Sequence, residues 1–198
     1  MRQLSESTIE TVQPNSNGPS ETGFTLLELL IAIAVMGVLM GLGVPAMREF
    51  IVNQRTTGAA NQLLADLAYA RTQALVLQRP VRVSQAGAGW NDGWTVFSDT
   101  NTNGAVDGAG IIVDEQYRQQ DALPDGFNLT VADGGGTALT DVWFSRLGAG
   151  TLELPGNVSV TYPLRFLLER PDSDVDRAAT ICLAASGAAI IRKGTVLC

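Results

Sequence analysis

From Leu29 to Met47 the chain carries no charged or strongly polar residue. That run approaches the ~20 residues a helix needs to cross the hydrocarbon core of a bilayer. Ile, Leu, Val, Ala and Met fill it on every side, so it has no amphipathic stripe. A helix apolar all round either spans a membrane or lies at the heart of a large protein. A chain of 198 residues is too short to bury such a helix in its own core. The run is therefore expected to be a membrane span, covering residues 24–47.

Glu28 stands just inside this apolar stretch. A carboxylate there costs up to ~3 kcal/mol at the helix centre and less near an end. One reading has it at the interface, reaching into water. The other has it paired with a cation inside the membrane. A cut before Phe24 would supply that cation, because the new amine would lie about one helical turn from Glu28. The amine of a neighbouring subunit would serve equally well.

Gly23-Phe24-Thr25-Leu26-Leu27-Glu28 ahead of the apolar run resembles the processing site of type IV prepilins and type II secretion pseudopilins. The resemblance implies that a membrane peptidase cuts after Gly23 and N-methylates Phe24. It also implies that Glu28 pairs with a terminal amine during filament assembly. Pro45 falls where such proteins have a helix-kinking proline. Residues 1–23 would then be a leader that is removed. Residues 1–22 hold Ser, Thr, Asn, Gln, Pro and Glu and almost nothing apolar, so they are expected to be disordered. The segment is longer and more acidic than leaders of this family usually are. Only Arg2 precedes the span, while Arg48 and Arg55 follow it, and that bias taken alone favours the opposite orientation.

Past Pro45 the texture changes. Ala60, Leu63, Leu64, Leu67, Ala70 and Ala74 recur at helical spacing, with Asn61, Gln62, Asp66 and Thr72 between them. This predicts an amphipathic helix over 48–79, stopped by Arg79-Pro80. One long helix, kinked at Pro45, would run from near Phe24 to near Gln78. Strands are expected at Val81–Val83, Trp94–Phe97, Ile111–Tyr117, Phe127–Val131, Val142–Phe144, Val158–Leu168, Thr180–Ala184 and Ala188–Ile191. Turns rich in Gly, Asn and Asp separate them. The pattern is α+β, with a helix laid on an antiparallel sheet or sandwich over 80–198.

The β part resembles the GspH/FimT group within the pilin-like proteins. Arg79-Pro80-Val81, the stretch Gly93–Asp99, the Asn103-Gly104 turn and Ile181-Cys182 with Ser186-Gly187 and Cys198 carry that resemblance. It implies a pilin-like fold and a minor pilin of a type IV pilus; an H-type minor pseudopilin of a type II secretion system is the alternative. The implied partners are the prepilin peptidase and N-methyltransferase, other pilins or pseudopilins, and the inner membrane. The domain would face the periplasm before the chain joins a filament. The cysteines, Cys182 and Cys198, lack CxxC spacing. In an exported domain they are expected to pair; two unpaired buried thiols are the alternative.

Composition narrows the remaining chemistry. There is no histidine, the commonest catalytic base and metal ligand, and no nucleophile-elbow pattern, so no enzyme activity is expected. The formal net charge of −7 disfavours nucleic acid as a default partner. Some FimT-type minor pilins resemble DNA receptors that use a Gly-Arg-x-Arg loop. Here Gly187 is followed by Ala188 and Ala189, and Arg192-Lys193 come only later. These two residues are the only DNA candidates, under a third reading as a tip receptor for DNA or another ligand. Asp99, Asn101, Asn103 and Asp107 match the first part of a calcium loop, but Gly110 occupies the position where a bidentate Glu is required. A polar turn is the simpler reading. Calcium apart, no cofactor is expected.

Overall fold

A computed structural model of the chain describes residues 23–101, 106, 114–149, 153–154 and 158–198. Helix α1 covers Leu26–Leu77 and contains Pro45. The chain divides into two compact units at Val44/Pro45. The helix ends as expected. Gln78 takes a left-handed φ of 54°, and Pro80 has no N–H to continue a helical ladder.

Among the described residues ten strands follow: β1 Val81–Gln85, β2 Trp94–Ser98, β3 Gln116–Gln120, β4 Asn128–Ala132, β5 Asp141–Phe144, β6 Glu153–Leu154, β7 Val158–Ser159, β8 Leu164–Glu169, β9 Ala179–Leu183 and β10 Ala189–Lys193. They form two four-stranded sheets, ordered β3-β2-β1-β5 and β10-β9-β8-β4, and a β6-β7 ribbon. Every pairing is antiparallel. The fold is thus a helix packed on antiparallel sheet, as the period change after Pro80 predicts.

The core follows from the two periods. Along α1, Ala60, Leu63, Leu67, Ala70 and Ala74 are buried at alternating steps of three and four. They meet Val81, Val83, Val96, Val142 and Phe144 of the first sheet, and Leu129, Leu164, Phe166, Ile181 and Leu183 of the second, in one cluster. Full burial of each larger side chain is worth about 1.5–3 kcal/mol. Alanines at 70 and 74, both 0% exposed, bring the helix backbone close to the sheets. Among the described residues, all buried apolar side chains lie between Ala60 and Leu183. The unit Pro45–Cys198 therefore holds all of the described core.

Three expectations change. The strand expected over Ile111–Tyr117 lies further along, as β3. Residues 111–113 are outside the described set, and Asp114 and Glu115 are not in a strand. The expected long strand Val158–Leu168 is two, β7 and β8, parted at Tyr162-Pro163. Proline cannot donate to a ladder, and that signal was present in the sequence. Asp66, expected among the polar gap-fillers of the helix, is 2% exposed. Of the expected leader, residues 1–23, all but Gly23 lie outside the described residues.

One glycine is required by geometry. Gly93 leads into β2 with φ +96°, and a Cβ there would come within 2.1 Å of the Gln120 carbonyl oxygen. Only glycine allows that approach between β2 and β3.

Candidate functional site

The N-terminal unit carries its polar groups at one end. Thr25 caps α1: the Glu28 N–H donates to Thr25 Oγ1 at 3.2 Å, and the Thr25 N–H donates to Glu28 Oε2 at 3.2 Å. The Thr25 hydroxyl also donates to Glu28 Oε2 at 3.3 Å. This reciprocal pair is a capping box, which satisfies orphan donors of the first turn and holds the carboxylate against the helix N-terminus. The Thr-x-x-Glu spacing that signals this cap is present in the sequence at Thr25 and Glu28. Glu28 thus has local partners in this single chain.

A Cβ added at Gly23 would meet no atom within 4 Å, and Gly23 has no left-handed φ. The fold itself does not require glycine there. The same holds for Gly37, Gly41 and Gly43 inside the helix. Each interior glycine costs a helix about 0.8–1.0 kcal/mol relative to alanine. The apolar side chains from Phe24 to Met47 are exposed throughout. This helix is long and apolar enough to cross a membrane.

In the second unit the buried arginines are paired with carboxylates. Arg82 lies on the face of β1 opposite Val81 and Val83. It donates from Nη1 to Asp99 Oδ2 at 3.0 Å and from Nη2 to Asp141 Oδ2 at 2.5 Å. Its guanidinium stacks 4.5 Å from the Trp143 ring centroid, and Trp143 Nε1 donates to Asp141 Oδ1 at 2.9 Å. Arg82 Nε finds no hydrogen-bond partner among the described residues. Asp66 of α1 accepts from Trp94 Nε1 and from Arg118 Nη1, both at 2.9 Å, which ties the helix to the first sheet. Arg118 in turn stacks 3.9 Å from the Tyr69 ring centroid. Arg170, also buried, grips Asp172 with Nε at 3.0 Å and Nη2 at 2.6 Å, and reaches Asn53 of α1 with Nη1 at 2.5 Å. The Arg170 guanidinium holds the Asp172 carboxyl below the usual carboxylate range. Backbone N–H groups of Thr137, Thr161 and Gly135 do the same for Asp133. Burial pushes the Tyr162 phenol up to about 12.

The remaining predicted positions are scattered. Asp99 of the calcium pattern is fully buried and engaged by Arg82. Asn101 is exposed, and Asn103 and Asp107 lie outside the described residues. Among the described residues no group of three or more His, Cys, Asp or Glu could hold a metal. Arg192 and Lys193 are exposed at the end of β10. Cys182 and Cys198 form a disulfide, with their Cα atoms 5.5 Å apart, pinning the C-terminal residue to β9.

The geometry has known counterparts. The family model described as "Type II transport protein GspH" matches residues 59–187. The chain belongs to this family. A model of the prokaryotic N-terminal methylation motif matches residues 19–44, the stretch that holds Gly23, Phe24 and Glu28. The type IV major alpha-pilin and the fimbrial protein Q of Moraxella bovis are each 39% identical over 46 residues. That match covers 23% of this chain and 29% of those relatives' length. Among solved structures, the type IV minor pilin FimU of Pseudomonas aeruginosa superposes with a TM-score of 0.52 at 18% identity, over 75% of this chain and 98% of that one. The minor pseudopilin EpsH of Vibrio cholerae superposes at 0.52 and 12% identity, over 73% and 98%. These likenesses show a pilin-like fold shared by this family member.

Proposed function

We propose that this chain is a minor pilin of a type IV pilus, cut after Gly23, methylated at Phe24, and built into a filament or its initiating complex. One observation carries the reading. Gly23 is glycine at a position where no described residue requires one, directly before a helix whose apolar side chains up to Met47 are all exposed among the described residues. A requirement that the fold does not impose is naturally imposed by a processing enzyme. Gly37, Gly41 and Gly43 fit the same reading, since small residues let apolar helices approach closely in a membrane. Glu28, fixed by the Thr25 cap, is set to accept the methylated amine of an adjacent subunit. That contact would be strong where water is excluded.

The role proposed for the Pro45–Cys198 unit is selection of neighbouring subunits from the periplasmic side, with no catalysis of its own. Calcium stays outside this reading, because Asp99 already neutralises the buried Arg82. The H-type pseudopilin of a secretion system is the second reading, favoured by the description of the matching family model. A DNA receptor would rest on Arg192 and Lys193 alone.

The deciding measurement is the intact mass and N-terminal sequence of the protein taken from its native membrane. A chain beginning at N-methyl-Phe24 is the expected result. A chain retaining residues before Phe24, with the peptidase active, would overturn the proposal. Glu28→Val should be processed and membrane-inserted yet largely absent from filaments. A type IV pilus containing the wild-type chain would separate the first reading from the second.

A further inference from the structure

The second sheet ends on β10, and the outer edge of that strand has no partner strand among the described residues. The bonds flanking the β9-β10 ladder set its parity: the Ala184 N–H donates to the Ala188 carbonyl at 2.9 Å, and the Gly194 N–H donates to the Ala178 carbonyl at 2.7 Å. With the register Ile190↔Cys182 and Arg192↔Thr180, the backbone groups of Ile190 and Arg192 point to β9. Those of Ala189, Ile191 and Lys193 therefore point outward, and they have no partner among the described residues.

A groove runs beside this edge, with α1 on its far side. One part, about 590 Å³, lies between Asn53, Thr57 and Asn61 of the helix and Ile191 and Lys193 of the strand. A second part, about 370 Å³, lies between Leu64 and Ala68 of the helix and Ala189. One end is closed. There Arg71 Nε donates to the Gly148 carbonyl at 3.0 Å. A Cβ on Gly187, which has φ +78°, would come within 2.2 Å of the same oxygen. At the other end Arg192 and Lys193 are exposed and make no ion pair among the described residues, while Arg177 is engaged by Glu49 and Asp174.

We infer that β10 takes up an extended segment of a neighbouring subunit, which adds to the second sheet as a further strand. The segment's main chain bonds the outward groups of Ala189, Ile191 and Lys193. Its alternate side chains face α1 and must be small, since Thr57, Asn61 and Ala68 form the floor. Charge complementarity sets its direction, with an Asp or Glu at the Lys193 end. An edge carrying exposed Ile190 and Ile191 is otherwise a site for unwanted pairing.

This inference rests on the filament reading, and the test separates the two. Ile191→Pro removes an outward N–H and leaves the bonds to β9 intact; proline is tolerated on an edge strand in that orientation. Arg192→Glu/Lys193→Glu reverses the rim. Each full-length variant is expressed with the native assembly machinery. Processing is read by mass, and incorporation is read as the filament fraction relative to wild type. Thermal melts of each full-length variant in detergent check folding, with Asp125→Lys, on the exposed turn before β4 at the opposite edge of the sheet, as the control. Both edge variants should be processed normally and lose about tenfold or more in incorporation, while the control behaves as wild type. The Ile191 amide should also exchange about 100-fold more slowly in the filament than in the isolated unit. If Ile191→Pro unfolds the unit, the charge reversal and the exchange rate decide. Wild-type incorporation of the charge reversal, or an unchanged exchange rate, would overturn the inference. A processed wild-type chain missing from filaments would overturn the filament reading itself.

Discussion

Asp66 is the residue on which helix and first sheet depend together. Its carboxylate is buried and serves Trp94, Arg118 and Gln62 at once. Asp66→Ala leaves the indole N–H without its acceptor and Arg118 without its counter-charge. The expected cost is about 2–4 kcal/mol, read as a lower urea midpoint for the Pro45–Cys198 unit. Asp133 and Asp172 make acid the weak side of the domain. Both carboxyls are held below their ordinary range in the folded chain, by backbone N–H groups and by Arg170 respectively. Folding therefore favours their ionised forms. Their contribution is complete above the unfolded value of about 3.9, and it is lost as pH falls through the lower folded values. Urea midpoints should drop below about pH 4, and an Asp133→Asn/Asp172→Asn variant should show a shallower acid limb. A limb unchanged in the double variant would show that other carboxylates control it. Neither Asp66 nor Arg82 stands out in the sequence as a core residue. A charged residue in an alternating pattern points to solvent unless its partners, distant in the chain, are known.

At the scale of elements, strand β9 holds the second sheet together, and the disulfide ties the chain end to it. Cys182 and Cys198 are separated by 16 residues. A loop of that size contributes about 3 kcal/mol in the chain-entropy model. Cys182→Ser/Cys198→Ser should lower the stability of the domain by about that amount while leaving its far-UV spectrum intact. A melting point insensitive to both reductant and the double substitution would show that the hairpin β9-β10 holds without the bridge. Helix α1 was the most legible element, because its first half shows in apolar length and its second in a 3.6-residue period from Ala60 to Ala74. The strands around Tyr162-Pro163 and before Gln116 were less so, since short apolar runs carry no information on where a ladder breaks.

For the whole molecule, the division at Pro45 predicts that residues 45–198 fold alone. All the described buried apolar side chains lie within that unit. A fragment starting at Pro45 should be soluble, monomeric and show a single cooperative thermal transition, by calorimetry and by near-UV circular dichroism alike. Two transitions, or none, would mean that the apolar helix contributes to the core.

The sequence by itself determined the order of parts: an N-terminal methylation motif, an apolar helix with its proline, an amphipathic continuation and an antiparallel β domain with a C-terminal cysteine pair. Each of those is written in neighbouring residues, through period, length or fixed spacing. Tertiary structure alone decided that Arg82 would sit between Asp99 and Asp141 and that Asp66 would clasp Trp94. It also decided that Arg170 would reach back to Asn53, and that β10 would be left as an open edge over a groove. Those outcomes depend on which strands become neighbours. Register and strand order arise from packing between residues as much as 117 positions apart, and no local pattern specifies them.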